Sequence, residues 1–318
     1  MGTMNALLVQ GSQMLLVLAL APLLTGWVRK VKARLLRRRG ASVWQPYRDL
    51  LRLLRKEAVV ADSASWLFRV APYLIFSAIW VAAALVPTFA INLIFSWSAD
   101  LIAIVALLGS ARFFLALAGL DVGTSFGGIG ASREMMIAPL AEPAMIMIVF
   151  TLSLLAGSTQ LSSIVAYMIG PEVGLRISVA MSLVALVMVA LAENARIPVD
   201  NPATHLELTM VHEAMVLEYS GRHLAMIEAA ASLKLLLYVS LIAAIFTPWG
   251  MAAAGQGLGH YLVGGVAYLG KLAAGGFLLA LFETSIAKMR VFRVSQFLSA
   301  ALMLGLLAVL LLFVSRNL

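Results

Sequence analysis

The sequence predicts an all-α integral membrane protein with eight transmembrane helices. Hydrophobic residues make up 62% and charged residues 12% of its 318 residues, and the mean hydropathy is +0.99. Soluble domains carry about 25% charged residues. The apolar residues also occur in runs of roughly 20, the length that a helix needs to cross a bilayer. We therefore predict one polytopic membrane domain over residues 1–318 and no soluble domain.

Eight apolar runs define the predicted spans. They are continuous and lack the alternation of a barrel strand, which favours helices. Their approximate positions are 5–26, 67–90, 101–120, 136–158, 174–192, 229–249, 262–282 and 297–315. The first run has no basic residue before it, so we expect it to stay in the mature protein and not to be cleaved as a signal peptide.

Lysine and arginine predict the topology of these spans. They concentrate in the odd-numbered loops, at about 27–66, 121–135, 193–228 and 283–296. The positive-inside rule places such loops in the cytoplasm, and with eight spans both termini then lie on the non-cytoplasmic side. Topology and lipid headgroups thus account for the net charge of +8, and no nucleic-acid recognition motif is present.

The first loop contains a predicted basic amphipathic helix. One helical face carries apolar side chains, namely Tyr47, Leu50, Leu51, Leu54 and Ala58. The other carries cations, namely Arg48, Arg52, Arg55 and Lys56. Such a helix either lies on anionic lipid or docks a soluble partner, and the sequence leaves both open.

The fifth loop concentrates carboxylates between two apolar segments. They are Glu193, Asp200, Glu207, Glu213, Glu218 and Glu228. Charge beside a bilayer is typical of ion or proton chemistry, and clustered carboxylates raise one another's proton affinity. The stretch 203–217 is predicted to form a helix with His205 and His212 on one face. Two histidines without a third ligand are a weak metal signature, so titrating histidines or a merely solvated loop are the alternatives.

Charges also lie within the predicted spans. Glu142 stands inside the fourth apolar run and precedes Pro143, which removes a helical hydrogen bond. A carboxylate there is costly unless it is paired or protonated, which favours a proton relay over a simple packing hydrogen bond. Our hypothesis is that two arginines, Arg112 and Arg133, balance some of the nearby carboxylates, namely Asp121, Glu134 and Glu142.

Three further charges could continue a polar path through the last spans. Lys234 lies early in the sixth span, and Lys271 and Glu283 lie in the seventh. Alternatively, Lys271 snorkels towards an interface and Glu283 is a charge at the cytoplasmic rim.

The chain contains no cysteine, which excludes a disulfide, a cysteine-ligated iron–sulfur cluster and thiolate chemistry on this chain. Any electron carrier of that kind must belong to another subunit. The glycine-rich segment 123–130 lacks the lysine of a phosphate-binding loop and is predicted to be a flexible or tightly turned loop. We predict no catalytic residue, no metal site and no cofactor on this chain.

A series of motifs occurs in one order along the chain. They are Arg38-Arg-Gly40, Trp44-Gln-Pro-Tyr-Arg-Asp-Leu50, Lys56-Glu57, Gly119-Leu-Asp-Val-Gly123, Gly130-Ala-Ser-Arg-Glu134, Glu142-Pro143, Glu193, Arg196-Ile-Pro-Val-Asp200 and Glu218-Tyr-Ser-Gly221. This order resembles the H-type membrane subunit of respiratory complex I and its relative in group 4 membrane-bound [NiFe] hydrogenases, the formate hydrogenlyase subunit 4 or hydrogenase-4 component C type. The segments around Asp121 and Glu134 resemble the hydrogenase branch more closely.

The resemblance implies a non-catalytic subunit of an oxidoreductase complex in a bacterial or archaeal cytoplasmic (inner) membrane. Such a subunit anchors a hydrophilic arm and links redox chemistry to ion translocation. Iron–sulfur clusters and a nickel–iron or quinone site would lie on partners, which are hydrogenase-like large and small subunits, an iron–sulfur protein and antiporter-like membrane subunits.

The resemblance and the charge pattern together assign three groups of residues. Proton coupling is predicted for Asp121, Glu134, Glu142, Glu193, Asp200, Glu207, Glu213 and Glu218. Their predicted charge partners are Arg112, Arg133, Arg196 and Lys234. Arm docking is predicted for Arg38, Arg39, Gln45, Tyr47, Arg48, Asp49 and Tyr219.

The acidic loop departs from the family pattern. Aligned without gaps from Pro198, two of the family's acids fall on Ala203 and His205, whereas Glu207 matches a third. Two other functions remain open: a subunit that forms a quinone site, and a stand-alone secondary transporter. The second lacks the internal symmetry that many transporters show.

Overall fold

The computed structural model describes residues 3–170, 176–200, 210–253, 255–289 and 291–316. These residues form helices almost throughout. The helices are α1 (Thr3–Leu35), α2 (Gln45–Leu54), α3 (Trp66–Leu85), α4 (Leu101–Asp121), α5 (Ser125–Ala156), α6 (Leu161–Ile169), α7 (Ile177–Glu193), α8 (His212–Val216), α9 (Gly221–Phe246), α10 (Leu258–Ser285) and α11 (Val291–Arg316). Two short parallel strands, β1 (Ala90–Ile91) and β2 (Ala252–Ala253), and a 3-10 turn (Ile94–Ser98) complete the described fold.

The eight predicted spans each correspond to a helix. In the described part of the chain, seven helices are long and apolar enough to span a membrane: α1, α3, α4, α5, α9, α10 and α11. The eighth, α7, has 17 residues and a length of about 26 Å, slightly less than a hydrocarbon core of about 30 Å. The predicted all-α membrane fold is therefore confirmed, with one short span.

Successive spans join two opposite faces of the helix bundle. On one face, hereafter the basic-loop face, Ser220 Oγ donates to Val59 O at 2.9 Å, and Lys32 pairs with Glu283. On the opposite face, β1 pairs with β2 and Leu161 N donates to Ala99 O at 2.8 Å. The odd-numbered loops thus gather at one end of the bundle, as the distribution of lysine and arginine predicts.

Exposed tryptophans mark both ends of the bundle. Trp44 and Trp66 lie on the basic-loop face, and Trp97 and Trp249 lie on the opposite face. Tryptophan is enriched at both interfaces of a bilayer, where its ring is apolar and its N–H meets water. The exposed tryptophans at the two ends of the bundle therefore agree with the span assignment.

Helix α5 begins eleven residues before the predicted start of the fourth span. Its first residues fall in segment 123–130, for which a flexible or turned loop was the wrong prediction. Thr124 caps the helix by accepting a hydrogen bond from Gly127 N at 3.3 Å. A Cβ on Gly127 would collide with Gly119 O of α4. The glycines therefore serve close helix packing, which outweighs their low helix propensity, and only Gly123, at φ +72°, forms a turn.

Helix α2 confirms the predicted amphipathic helix but packs with a different face. Pro46 is buried, and Leu50 and Leu53 are half-buried against the bundle. Leu51 and Leu54, which the pattern placed on the packed face, are 55% and 52% exposed. The helix lies at the edge of the bundle, where only a narrow side of it can contact α1 and α9.

The spans differ in how deeply they are buried. Helix α9 lies at the centre, with 67% of its apolar window buried, whereas α10 lies at the periphery with 22% buried. Small side chains let helices approach closely in membranes. On α10, Gly276 provides this approach to α1, because a Cβ there would lie 2.8 Å from Trp27 Cδ1.

Candidate functional site: a buried ion-pair cluster

Arg112 lies at mid-depth on α4, with its side chain 3% exposed. Its Nε is 3.1 Å from Glu134 Oε1, and its Nη1 is 3.8 Å from Glu142 Oε1; both acids are on α5. Its Nη2 contacts Glu193 Oε1 at the end of α7. The Nε and Nη1 approaches lack hydrogen-bond geometry. One guanidinium thus joins three helices through charge.

A second cation completes this group. Lys234 of α9 places its Nζ 2.7 Å from Glu193 Oε2. Glu193, with a side chain 5% exposed, therefore lies between Arg112 and Lys234. We call these five residues, Arg112, Glu134, Glu142, Glu193 and Lys234, the Arg112 cluster.

The Arg112 cluster contains three carboxylates and two cations, so one negative charge remains when all five groups are ionised. Excess negative charge in a buried site favours protonation of one carboxylate. Glu142 has the longest contact with the arginine and a side chain 46% exposed, and Gly109 leaves room for it, with a Cβ position 3.4 Å from Oε1. Glu142 is therefore the carboxylate that the cluster holds least tightly.

A second set of charges lies at the basic-loop face. Glu283 of α10 has a side chain only 2% exposed, 2.7 Å from Lys32 Nζ and 3.3 Å from Arg196 Nη1. Burial lowers the pKa of Arg196, an effect that Glu283 opposes. The sequence left two interpretations of Glu283 open: a charge at the cytoplasmic rim, or part of a polar path together with Lys271. The structure shows a buried carboxylate with other partners.

The second set also fixes the start of the acidic loop. Asp200, 3% exposed, accepts hydrogen bonds from Lys288 Nζ at 2.9 Å and from Val211 N at 3.3 Å. Met289 N donates to Pro198 O at 2.9 Å. We call the charged residues of this set, Lys32, Arg196, Asp200, Glu283 and Lys288, the loop-face cluster.

The short helix α8 packs between α4 and α5 through glycines of the sequence motifs. A Cβ on Gly119 would lie 3.1 Å from Met215 Cγ, and one on Gly130 would lie 2.9 Å from both Met215 Cγ and Val211 O. Burial and the charge of Lys234 lower the pKa of His212 at the start of α8, while Glu134 and Asp200 oppose this. Helix α8 thus lies beside both clusters.

The remaining predicted coupling residues lie elsewhere. Asp121 accepts a hydrogen bond from Ser65 N at 2.9 Å, near the start of α3, and takes no described part in the Arg112 cluster. Arg133 Nη1 donates to Met210 O at 2.6 Å. Glu213 is on α8 and Glu218 follows it. Glu207 and His205 lie outside the described residues, as does the first part, 203–209, of the helix predicted over 203–217.

The predicted docking residues divide into exposed and buried groups. Arg38, Arg39 and Arg48 are exposed, and Gln45 Nε2 donates to Asp49 Oδ1 at 3.1 Å. A partner that binds these residues would contact charged or polar side chains on the basic-loop face.

The two tyrosines of the predicted docking set face inwards. Tyr47 donates its hydroxyl to Ala19 O. Tyr219 is 4% exposed and stacks on Phe68 with ring centroids 3.9 Å apart. Burial and the carboxylate of Asp121 raise the pKa of Tyr219. A docking role for these tyrosines would have to act through the loops that they hold in place.

Among the described residues, no group of three or more His, Cys, Asp or Glu side chains could hold a metal ion. Sequence reasoning missed Lys32 and Lys288 as members of the site. It also did not predict that Glu283 is buried. Lys32 and Glu283 are 251 residues apart in sequence, so no spacing rule could have joined them.

The fold and the clusters define a class of protein: a polytopic α-helical membrane protein with a charged centre between its spans. The chain belongs to the NADH dehydrogenase family, whose model matches residues 9–314. This confirms the resemblance that the ordered motifs indicate.

Individual relatives include both branches of that resemblance. Formate hydrogenlyase subunit 4 of Escherichia coli (strain K12) is 34% identical over 278 residues, which cover 87% of this chain and 89% of that protein. Hydrogenase-4 component C of the same organism is 36% identical over 76% of this chain and 75% of that protein. NADH-ubiquinone oxidoreductase chain 1 of Triticum aestivum is 29% identical over 69% and 68%.

A solved structure shares the fold. A chain of the membrane-bound sulfane sulfur reductase, an archaeal respiratory membrane complex, superposes with a TM-score of 0.79 at 17% identity and covers 96% of this chain and 99% of that chain. At that identity the likeness concerns the fold alone.

Proposed function

We propose that the chain is the membrane anchor and proton-coupling subunit of a complex I-like, group 4 hydrogenase-related redox complex. The observation that carries this proposal is the Arg112 cluster, an intramembrane group with one more carboxylate than cations. The relatives at 34% and 36% identity are named for formate hydrogenlyase and hydrogenase-4, which supports the hydrogenase-related branch over the quinone-reducing one.

The coupling step uses the connection between the two clusters. Glu193 and Arg196 are three residues apart, so a movement of the loop-face cluster pulls on the end of α7. When Glu193 moves away from Arg112 and Lys234, both cations lose their nearest carboxylate and attract Glu142 more strongly. Glu142 then releases a proton, and it takes one up again when Glu193 returns.

The anchoring role uses the basic-loop face. Exposed arginines there, Arg38, Arg39 and Arg48, provide donors for carboxylates of a hydrophilic arm. In this proposal the basic loops face the cytoplasm, as the positive-inside rule requires, and both termini lie on the other side. The arm holds the iron–sulfur clusters and the nickel–iron or quinone site, and antiporter-like subunits adjoin this chain within the membrane.

The test of the anchoring role is affinity purification of this chain from its native membrane in mild detergent, with mass spectrometry of the proteins that accompany it. We expect hydrogenase-like large and small subunits, an iron–sulfur protein and antiporter-like subunits. A folded chain recovered alone, able to move a solute in liposomes, would instead identify a transporter.

The test of the coupling role uses the purified complex in proteoliposomes. Glu193→Gln keeps the shape of the side chain and removes the charge that both cations share. We expect electron transfer to continue while proton movement per electron falls. Asp62→Asn, at an exposed acid of the first loop, is the control and should change neither rate. Equal proton movement in wild type and Glu193→Gln would refute the coupling step.

A further inference from the structure

Lys271 is a lysine at the middle of a peripheral span. It is the fourteenth of the 28 residues of α10, so each end of the helix is about 20 Å away along the axis. A lysine side chain cannot extend that far, so snorkelling to an interface, one of the two expectations from sequence, does not account for it. Its ammonium group lies near the midplane of a hydrocarbon layer about 30 Å thick.

No described residue offers Lys271 a counter-charge. Two other cations near the middle of spans, Arg112 and Lys234, both contact carboxylates. Glu283, the acid that shares α10 with Lys271, pairs instead with Lys32 and Arg196. Lys271 makes no ion pair or hydrogen bond with any part of the chain that the structure describes, and its side chain is only half-buried.

The surface around Lys271 is open and lined with small residues. Gly270, Ala273 and Ala274 are exposed, and a Cβ on Gly270 would meet nothing within 4 Å. Larger apolar side chains, among them Val266 and Leu278, are also exposed, at 71% and 61%. Small residues let another helix approach closely, and an apolar margin suits a contact within the membrane.

We propose that this face of α10 binds a transmembrane helix of a partner subunit that carries an aspartate or glutamate at the depth of Lys271. The charge of the lysine selects this occupant, because a lipid headgroup lies about 15 Å from the midplane and an acyl chain offers no acceptor. An unpaired cation at that depth is costly, and a carboxylate on the facing helix removes this cost. The proposal rests on the proposed function in requiring a multi-subunit complex.

A photo-crosslinking experiment in the intact complex tests this proposal. A photoreactive phenylalanine derivative replaces Ala274, one turn from Lys271, and a second variant carries it at Leu307, an exposed position on α11. We expect Ala274 to cross-link to a single partner segment that contains a membrane-embedded acid, and Leu307 not to cross-link to that segment.

The role of the Lys271 charge is tested by measuring the Ala274 cross-link in variants of Lys271. Lys271→Met keeps the length of the side chain, and we expect the Ala274 cross-link to fall at least tenfold, whereas Lys271→Arg should retain it. A matched acid-to-amide change in the cross-linked segment should cause the same loss.

The outcomes separate this proposal from the proposed function. Recovery of the full complex with only lipid, or no protein, cross-linked at Ala274 would overturn the docking face and leave the anchor function standing. An unchanged cross-link in Lys271→Met would overturn the role of charge. Purification of the chain without any partner would overturn both.

Discussion

The Arg112 cluster and the loop-face cluster are both built from buried charges, but their charge balance is opposite. In the Arg112 cluster, carboxylates exceed cations by one. In the loop-face cluster, Glu283 has two cationic partners and Asp200 has Lys288, so the cations exceed the carboxylates. Excess carboxylate favours proton uptake, whereas excess cation holds carboxylates ionised.

In the proposed function, this difference separates a responsive region from a fixed one. The loop-face cluster ties the ends of α1 and α10 to the segment after α7 through buried ion pairs. In the proposed function, the Arg112 cluster responds to a change in the position of Glu193. A protein that couples movement to proton transfer needs both kinds of region. A rigid connection must transmit the movement before it can change the protonation of a weakly held carboxylate.

The largest expected effect comes from removing the centre of the Arg112 cluster. Arg112→Ala leaves three carboxylates without their shared cation, and breaking a buried ion pair costs about 3–5 kcal/mol. We expect little folded protein in detergent, measured by fluorescence-detected size-exclusion chromatography. Arg52→Ala, at a 66% exposed arginine, is the control and should cost under about 1 kcal/mol. Normal assembly and coupling in Arg112→Ala would remove the cluster from the mechanism.

The close packing of α4 against α5 gives the next largest effect. Gly127→Ala places a methyl group against Gly119 O, and overpacking of this kind costs about 1–3 kcal/mol. At Gly128 a Cβ would meet nothing within 4 Å, so Gly128→Ala should be neutral or stabilising by about 0.5–1 kcal/mol. Thermal unfolding in detergent measures both. An equal change in stability in the two variants would show that packing against Gly119 does not decide.

A substitution of Lys288 tests whether the loop-face cluster holds the acidic loop in place. Lys288→Ala removes the ammonium group that donates to Asp200 Oδ1, and the loss of a hydrogen bond between charged groups costs about 1.5–3 kcal/mol. We expect faster hydrogen exchange in residues 194–200 and a smaller proton yield per electron. Arg293→Ala, at an exposed arginine nearby, should change neither. If exchange is unchanged in Lys288→Ala, the cluster does not hold the loop.

The smallest expected effect concerns pH. The pKa of His212 is lowered in the folded protein, whereas an unfolded histidine titrates near 6.5. The unfolded state therefore binds more protons as the pH falls below about 6.5, and stability is lost towards the folded pKa. His212→Gln should reduce the stability that is lost between about pH 7.5 and pH 5.5. An unaltered difference in thermal unfolding would contradict this.

The sequence predicts the spans because apolar length is a local property of the chain. Helix α4 begins at Leu101, where the apolar run begins, and Asp100 caps it by accepting from Ile102 N at 2.7 Å. The pattern also located Arg112 and Glu142 at similar depth, and the structure brings them together.

Contacts between distant elements were not accessible to the same reasoning. The glycines at 127 and 130 resemble a loop in sequence because their packing partners, Gly119 and Met215, are elsewhere in the chain. The face of α2 was misassigned because periodicity shows which side is apolar, not how much of it the bundle covers. The coupling roles of the acids and the docking role of the arginines remain predictions.

The length of α5 has a mechanical consequence. Its 32 residues form a rod of about 48 Å, longer than the membrane core, with Glu134 and Glu142 about 12 Å apart along it and Pro139 between them. In the proposed function, the part of this rod that extends beyond the membrane core is a lever whose outer arm a docked subunit pushes. In that function, a tilt of a few degrees at the outer arm displaces the inner carboxylate relative to Arg112, so that torque applied in water becomes a change of distance in the membrane.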